Sequence, residues 1–179
     1  MAENIFHDFE INKYMTKSPP SNGSFETMQE IKELARIPIR KNFVKEFDDM
    51  GSVFAKIVGY DDLIPLLVNS AREPILKIKN HHNRPRPKEI AHLHDINLDY
   101  EFLPSIDTPS YPFVHSAQGA LLALAFSDKY PHLRNKLMEA GRLISYSRNV
   151  AHEHYKSDST FGIEIGEDMY DYLKEKNII

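Results

Sequence analysis

The chain has no cysteine, which excludes disulfides, thiolate metal centres and a cysteine nucleophile but leaves either redox compartment open. Glycine and proline are sparse, at 7 and 11 of 179 residues, too few for a low-complexity chain, and no internal repeat recurs at a fixed period. Long apolar runs are missing as well. The longest, Ala120 to Phe126, falls far short of the roughly 20 residues a membrane span needs. The stretch from Met1 to Met15 mixes acidic and apolar residues, without the basic and then apolar regions of a signal peptide. These absences lead us to expect a soluble protein, cytoplasmic or otherwise in water, with no membrane span. No long run of one charge occurs either, and the net charge of -4 gives no general attraction for nucleic acid.

With 41% apolar and 27% charged residues, the chain is long enough to bury a core, and one domain over 1–179 is expected, with 1–18 as a loosely packed N-terminal segment. Helical periodicity dominates and strand-like alternation is scarce, so the fold class is all-α, a compact helical bundle. One helix is read from Ser24, as N-cap, to Ile37, and a second from Lys41 to Val58 on the apolar face of Phe43, Phe47, Met50, Val53, Phe54 and Ile57. A third starts at Asp61 and Asp62 and runs toward Asn80, with Pro74 expected to kink or divide it. The two X-Pro steps in Asn83 to Pro87 hold the chain extended, and the proline-rich stretch Leu98 to Pro112 reads as an irregular loop. Helices follow from Phe113 to Lys129, rich in small residues suited to the centre of a bundle, from His132 to Tyr155, and after Asp158 to Lys176.

The one basic cluster spans Lys77 to Lys88 and holds Lys79, Arg84, Arg86, His81 and His82. A site for a phosphate ester needs fixed cations for the non-bridging oxygens, a proton donor for the leaving group and a nucleophile held in one tautomer. The chain supplies all three kinds of group in order. Lys79 is followed after six residues by Arg86-Pro87, Pro112 to His115 ends a loop at a helix start, and Ser147-Arg148 is followed after five residues by His154 and after three more by Asp158. Taken singly, each of these reads as a solvated charge or a structural histidine; their joint order points to a site.

This order resembles the three-part signature of the type 2 phosphatidic acid phosphatase and vanadium haloperoxidase superfamily, and most of all the soluble class A bacterial nonspecific acid phosphatases. The first and third parts match at every specified position. Pro19-Pro20 and the acidic helix from Glu26 to Ala35 are similar to the opening of the class A enzymes, so the likeness covers the chain from about residue 19 onward. The resemblance implies that Lys79, Arg86 and Arg148 bind phosphate oxygens, that His154 is the nucleophile and forms a phosphohistidine, that Asp158 holds its other ring nitrogen, and that His115 protonates the leaving oxygen. It implies a phosphatase acting on a small phosphorylated substrate, a soluble phosphomonoester, without metal or other cofactor and with vanadate as an inhibitor. A homo-oligomer is left open.

The second motif departs from the family's Pro-Ser-Gly-His and reads Pro112-Phe113-Val114-His115. Phe113 has no hydroxyl to offer, whereas Val114 keeps a backbone N–H that a helix start aims at an anion. The first motif has a second register, Lys77 with Arg84-Pro85; Lys79 with Arg86 is preferred because it places Arg84 where class A enzymes carry an extra arginine. Two further readings stay open: a haloperoxidase on the same scaffold with vanadate as cofactor, and a phosphate-binding homologue without turnover. A metal site built from His81, His82, His92, His94, His152 and His154 with Glu153 or Asp95 is disfavoured, because i, i+2 pairs diverge on a helix. Tyr111, Phe113 and Tyr146 fit a substrate mouth or ordinary core packing equally well.

Overall fold

A computed structural model describes residues 4–179, apart from the side chains at positions 105 and 106. Helices and irregular segments make up the described residues, with no strand among them, and none of the helices described is long and apolar enough to cross a membrane. After the short α1 (Asn12–Met15), α2 (Phe25–Ala35) starts where expected, with the Ser24 hydroxyl accepting from the Thr27 amide at 3.1 Å. The expected helix from Lys41 to Val58 is instead two, α3 (Lys41–Glu46) and α4 (Met50–Val58). Asp49 ends the continuity because its carboxylate caps the Ser52 amide at 3.2 Å and so nucleates a new helix.

α5 (Leu63–His82) is one helix through Pro74, not two. The ring removes the donor that Ser70 O would have met four residues on, and Asn4 Nδ2 donates to that oxygen at 3.0 Å instead. This contact belongs to a correction at the N-terminus. Residues 1–3 lie outside the described residues, but the remainder of the segment expected to pack loosely has Phe6 and Tyr14 in the main core, each 2% exposed, against Phe9, Phe161 and Tyr172. Past the short α6 (Pro87–Ile90), the chain to residue 113 holds two 3-10 turns, Ala91–His94 and Pro104–Asp107, among its irregular residues.

The last three helices are α7 (Val114–Lys129), α8 (Arg134–Val150) and α9 (Lys156–Glu175). α7 is buried on nearly every side, as befits a central helix whose small residues let neighbours approach. At the α7–α8 crossing a Cβ on Gly141 would stand 2.9 Å from Gly119 O, and on α9 a Cβ on Gly166 would collide with Ala117 O. α8 stops at Val150, five residues short of the expected Tyr155, because His152 adopts a left-handed φ of 59°. His154 therefore sits in a turn, and Asp158 falls in the first turn of α9.

Candidate active site

Four connections between the motifs assemble the site from backbone and side chain alike. Asn83, left-handed at φ 48°, ends α5 just beyond Lys79. The extended residues that follow are fixed to the loop ahead of α7 by Ser110 N–H donating to Arg84 O at 2.7 Å. Phe113 N–H donates to Asp158 O at 3.0 Å, and Arg86 Nη1 donates to Glu153 O at 3.1 Å. Glycine contacts at Gly162 and Gly166 seat α9 on the first turns of α7, so the segment bearing His115 is locked against that bearing His154 and Asp158.

The result is a cavity of about 440 Å³ whose lining includes Lys79, Arg86, Thr108, Phe113, Val114, His115 and His154. His154 is buried, with Nδ1 at 3.0 Å from Asp158 Oδ2 and Nε2 at 2.9 Å from Arg86 Nη1. A guanidinium only donates, so Nε2 accepts and the ring proton sits on Nδ1, donating to the carboxylate. The two neighbours thus select one tautomer, and the Nε2 lone pair faces the cationic pocket. Burial, with Arg86, Lys79 and Arg148 after it, pushes the His154 pKa well below its ordinary value.

Asp158 is fully buried and meets donors only: Arg84 Nη1 at 2.7 Å on one oxygen, and His154 Nδ1, the Tyr155 amide and the Ser110 hydroxyl on the other. Burial pushes its pKa up while Arg84 and Ser110 pull it down. A proton on either oxygen would displace one of those donors, which favours the carboxylate. Arg84 in turn reaches Glu30 at 3.1 Å and lies over the Tyr155 ring at 3.6 Å. Arg84 therefore serves the carboxylate behind His154, and Lys77 pairs with Glu73 at 2.9 Å on the surface. Of the two registers, the structure brings Lys79 and Arg86 to the cavity.

Lys79 donates to Thr108 Oγ1 at 3.3 Å, and burial followed by the charge of Arg86 pulls its pKa down to about 7. Arg86 Nε donates to Thr108 O at 2.9 Å. His115 is driven down to about 3, by burial first and then by Arg148. The Val114 amide opens α7 and has no acceptor within the helix. Arg148 is the expected group that stands apart: it is buried beside the cavity without lining it, with Nη2 donating to Asp48 Oδ1 at 2.5 Å and Nη1 lacking a partner. Ser147 turns its hydroxyl back onto Ile144 O at 2.7 Å.

No family model matches the chain, and no curated protein does.

Several residues of the cavity escaped sequence reading. Thr108 is bonded to both Lys79 and Arg86, but a threonine in a proline-rich loop carries no spacing signal. Arg72 also lines the cavity, seven residues before Lys79 on the same helix, and helical periodicity would have found it. Among the aromatic residues only Phe113 lines it; Tyr111 stacks on Phe161 and Tyr146 packs on Phe43. His152 faces away, each ring nitrogen 2.7 Å from a backbone carbonyl oxygen, of Asp99 and of Ile37. No group of three or more His, Asp or Glu side chains placed to hold a metal occurs among the described residues.

Lys79 and Arg86 gather at one end of the cavity, while Asp48 on its lining is held by Arg148 and Asp49 caps α4, so that end attracts an anion by electrostatics. Burial first, and neighbouring cations after it, depress Lys79, His115 and His154, and an oxyanion there would offset the second of these causes.

Proposed function

We propose that this chain is a phosphatase of the acid phosphatase and vanadium haloperoxidase superfamily, hydrolysing a soluble phosphomonoester through a phosphohistidine at His154. The observation that carries the reading is the fixed tautomer of His154, its Nδ1–H on Asp158 and its Nε2 lone pair on the cavity that Lys79, Arg86 and His115 line. In the first step Nε2 attacks phosphorus, the P–O ester bond breaks, and the leaving oxygen takes a proton from His115. Burial keeps the His115 ring neutral; a monoanionic ester brings the proton and the negative charge that lets the ring hold it. In the second step water attacks phosphorus, the P–N bond breaks, and His115 accepts the proton of the water. Lys79, Arg86 and the Val114 amide hold the non-bridging oxygens, and Arg148 joins them by exchanging Asp48 for phosphate.

The test is release of phosphate from phenyl phosphate, with acid-quenched protein analysed for phosphohistidine. The reading expects turnover, inhibition by vanadate, and loss of both turnover and the phosphoenzyme in His154→Ala. A second reading, phosphate binding without turnover, is favoured by one observation: Phe113 fills the place of the family's serine and stacks on His154. Calorimetric binding of phosphate with no release from phenyl phosphate would decide for it. Halide oxidation that requires added vanadate would assign the scaffold to the haloperoxidase branch instead.

A further inference from the structure

The cavity extends beyond what one phosphate group fills. Its volume of about 440 Å³ lies in the range of pockets that enclose a whole small molecule. Lys79, Arg86, His115 and His154 mark one end. Along α5 the wall continues through Leu76, Arg72, Asn69 and Val68, one stripe of a helix face, opposite Gln118 of α7 and residues 48–51. At the helical rise, Arg72 lies two turns, or about 10 Å, along the axis from Lys79.

Arg72 is exposed and has no hydrogen bond or ion pair among the described residues. Its neighbours one turn away on α5, Val68, Asn69, Ile75 and Leu76, carry no charge, and Glu73 is engaged by Lys77. On the facing wall Asp48 holds Arg148 and Asp49 caps α4. Asp107, which also lines the cavity, is next to Thr108 in the chain, and Thr108 binds Lys79 and Arg86 at the phosphate end. The charge of Arg72 nonetheless reaches into the site, where it lowers the proton affinity of both Lys79 and His115. A purely apolar leaving group would cover Leu76 but leave the Arg72 guanidinium and the Asn69 amide facing it without partners, the Gln118 amide being held by Val68 O at 2.8 Å.

We infer that the pocket takes a phosphomonoester whose leaving group carries a second oxyanion, a phosphate or a carboxylate, bound by Arg72 across a short carbon spacer that rests on Leu76. The inference rests on the phosphatase reading for the role of the first phosphate, whereas the second anion subsite requires no turnover.

Three ligands that cannot be hydrolysed test it by calorimetry on the full chain: propylphosphonate, propane-1,3-bisphosphonate and 4-phosphonobutyrate. The wild type is expected to bind one or both of the two-anion ligands at least about tenfold more tightly than propylphosphonate, the worth of one charged hydrogen-bonded contact. Preference for the bisphosphonate alone assigns a second phosphate; preference for both assigns a general oxyanion. In Arg72→Ala that preference should collapse, and in Arg72→Lys it should recover in part. Because Arg72 is exposed, equal unfolding temperatures should accompany these changes. Equal binding of all three ligands by the wild type, absence of binding by all three, a preference that survives Arg72→Ala, or a uniform loss for all three in that variant would overturn the inference. A preference abolished by Arg72→Ala in a protein that releases no phosphate from phenyl phosphate would sink the phosphatase reading and leave the subsite standing.

Discussion

The ring of Phe113 stacks on the imidazole of His154, with centroids 4.0 Å apart and planes inclined by 30°. Its centroid also lies 5.6 Å from that of His115. Asp158 and Arg86 fix the His154 ring by its edges, and Phe113 fixes it by a face. Phe113→Ala should therefore cost about 3–5 kcal/mol of stability through the cavity it leaves, and, on the proposed mechanism, lower kcat about 10- to 100-fold as the His154 ring loses alignment. Urea unfolding and phenyl phosphate turnover measure the two effects. Full turnover in Phe113→Ala would mean that the edge contacts alone hold the ring.

Asp158→Asn replaces an all-acceptor group with one that donates at one atom. It reverses the preferred tautomer of His154, and kcat should fall by on the order of 10³–10⁴, the loss seen when a carboxylate orienting a catalytic histidine becomes an amide. It also removes the buried anion beside Arg84, which should destabilise the fold by about 3–5 kcal/mol. Turnover measured well below the melting temperature separates the two losses, since a variant that is merely less stable would regain activity on cooling.

How far the sequence foretold this site depended on whether a signal was local. The Ser24 cap and the small-residue α7 are patterns within one stretch of chain, and both are present in the fold; Lys79, Arg86, His115 and His154, from separate stretches, line one cavity. The break between α3 and α4 was hidden because Phe43, Phe47, Met50 and Val53 keep an unbroken apolar period across it. Pro74 does not divide α5, because Asn4, distant in sequence, supplies the missing donor to Ser70 O. Arg148 was expected in the pocket, and no pattern around it announces its partner Asp48, 100 residues earlier. Nor does the motif show that the substituted Phe113 would lie on the very ring it precedes by so many residues.

His115 should weaken the protein in acid. His115 titrates near 6.5 in an unfolded chain and at about 3 in the folded one, so between those values the unfolded state holds more protons and stability rises with pH. This contribution is fully present above 6.5 and is lost as pH falls toward 3, at a cost on the order of 5 kcal/mol. Urea unfolding at pH 7, 5 and 4 should show the decline beyond that of His115→Gln. Phosphate, by offsetting the charge of Arg148 and Lys79, should reduce it.

Lys79 follows the same sign in a higher window. Its folded pKa of about 7 lies below the ordinary 10.5, so at pH 8 the ammonium is largely deprotonated in the empty cavity. A bound phosphate would restore the proton. Calorimetry at pH 8 in two buffers of different ionisation enthalpy should therefore report proton uptake on phosphate binding, up to about one proton. Lys79→Met should abolish it. Binding without uptake would show that Lys79 keeps its charge when the site is empty.

Two glycine substitutions should move in opposite directions. A Cβ at position 166 collides with Ala117 O on α7, and α7 cannot retreat because its other side crosses α8 with a Gly141 Cβ position only 2.9 Å from Gly119 O. Gly166→Ala should thus cost about 3 kcal/mol or more. It should also depress turnover, since any shift of α7 carries His115 away from His154. At Gly51, inside α4, the nearest atoms to an added Cβ are Asp49 Oδ1 at 3.4 Å and Ile64 Cγ2 at 3.7 Å, ordinary contacts. Gly51→Ala should stabilise the helix by about 0.5 kcal/mol through the lower entropy of its unfolded chain. Side-by-side denaturant unfolding decides. Equal midpoints for Gly166→Ala and wild type would mean that α7 and α9 do not meet as closely as the site requires.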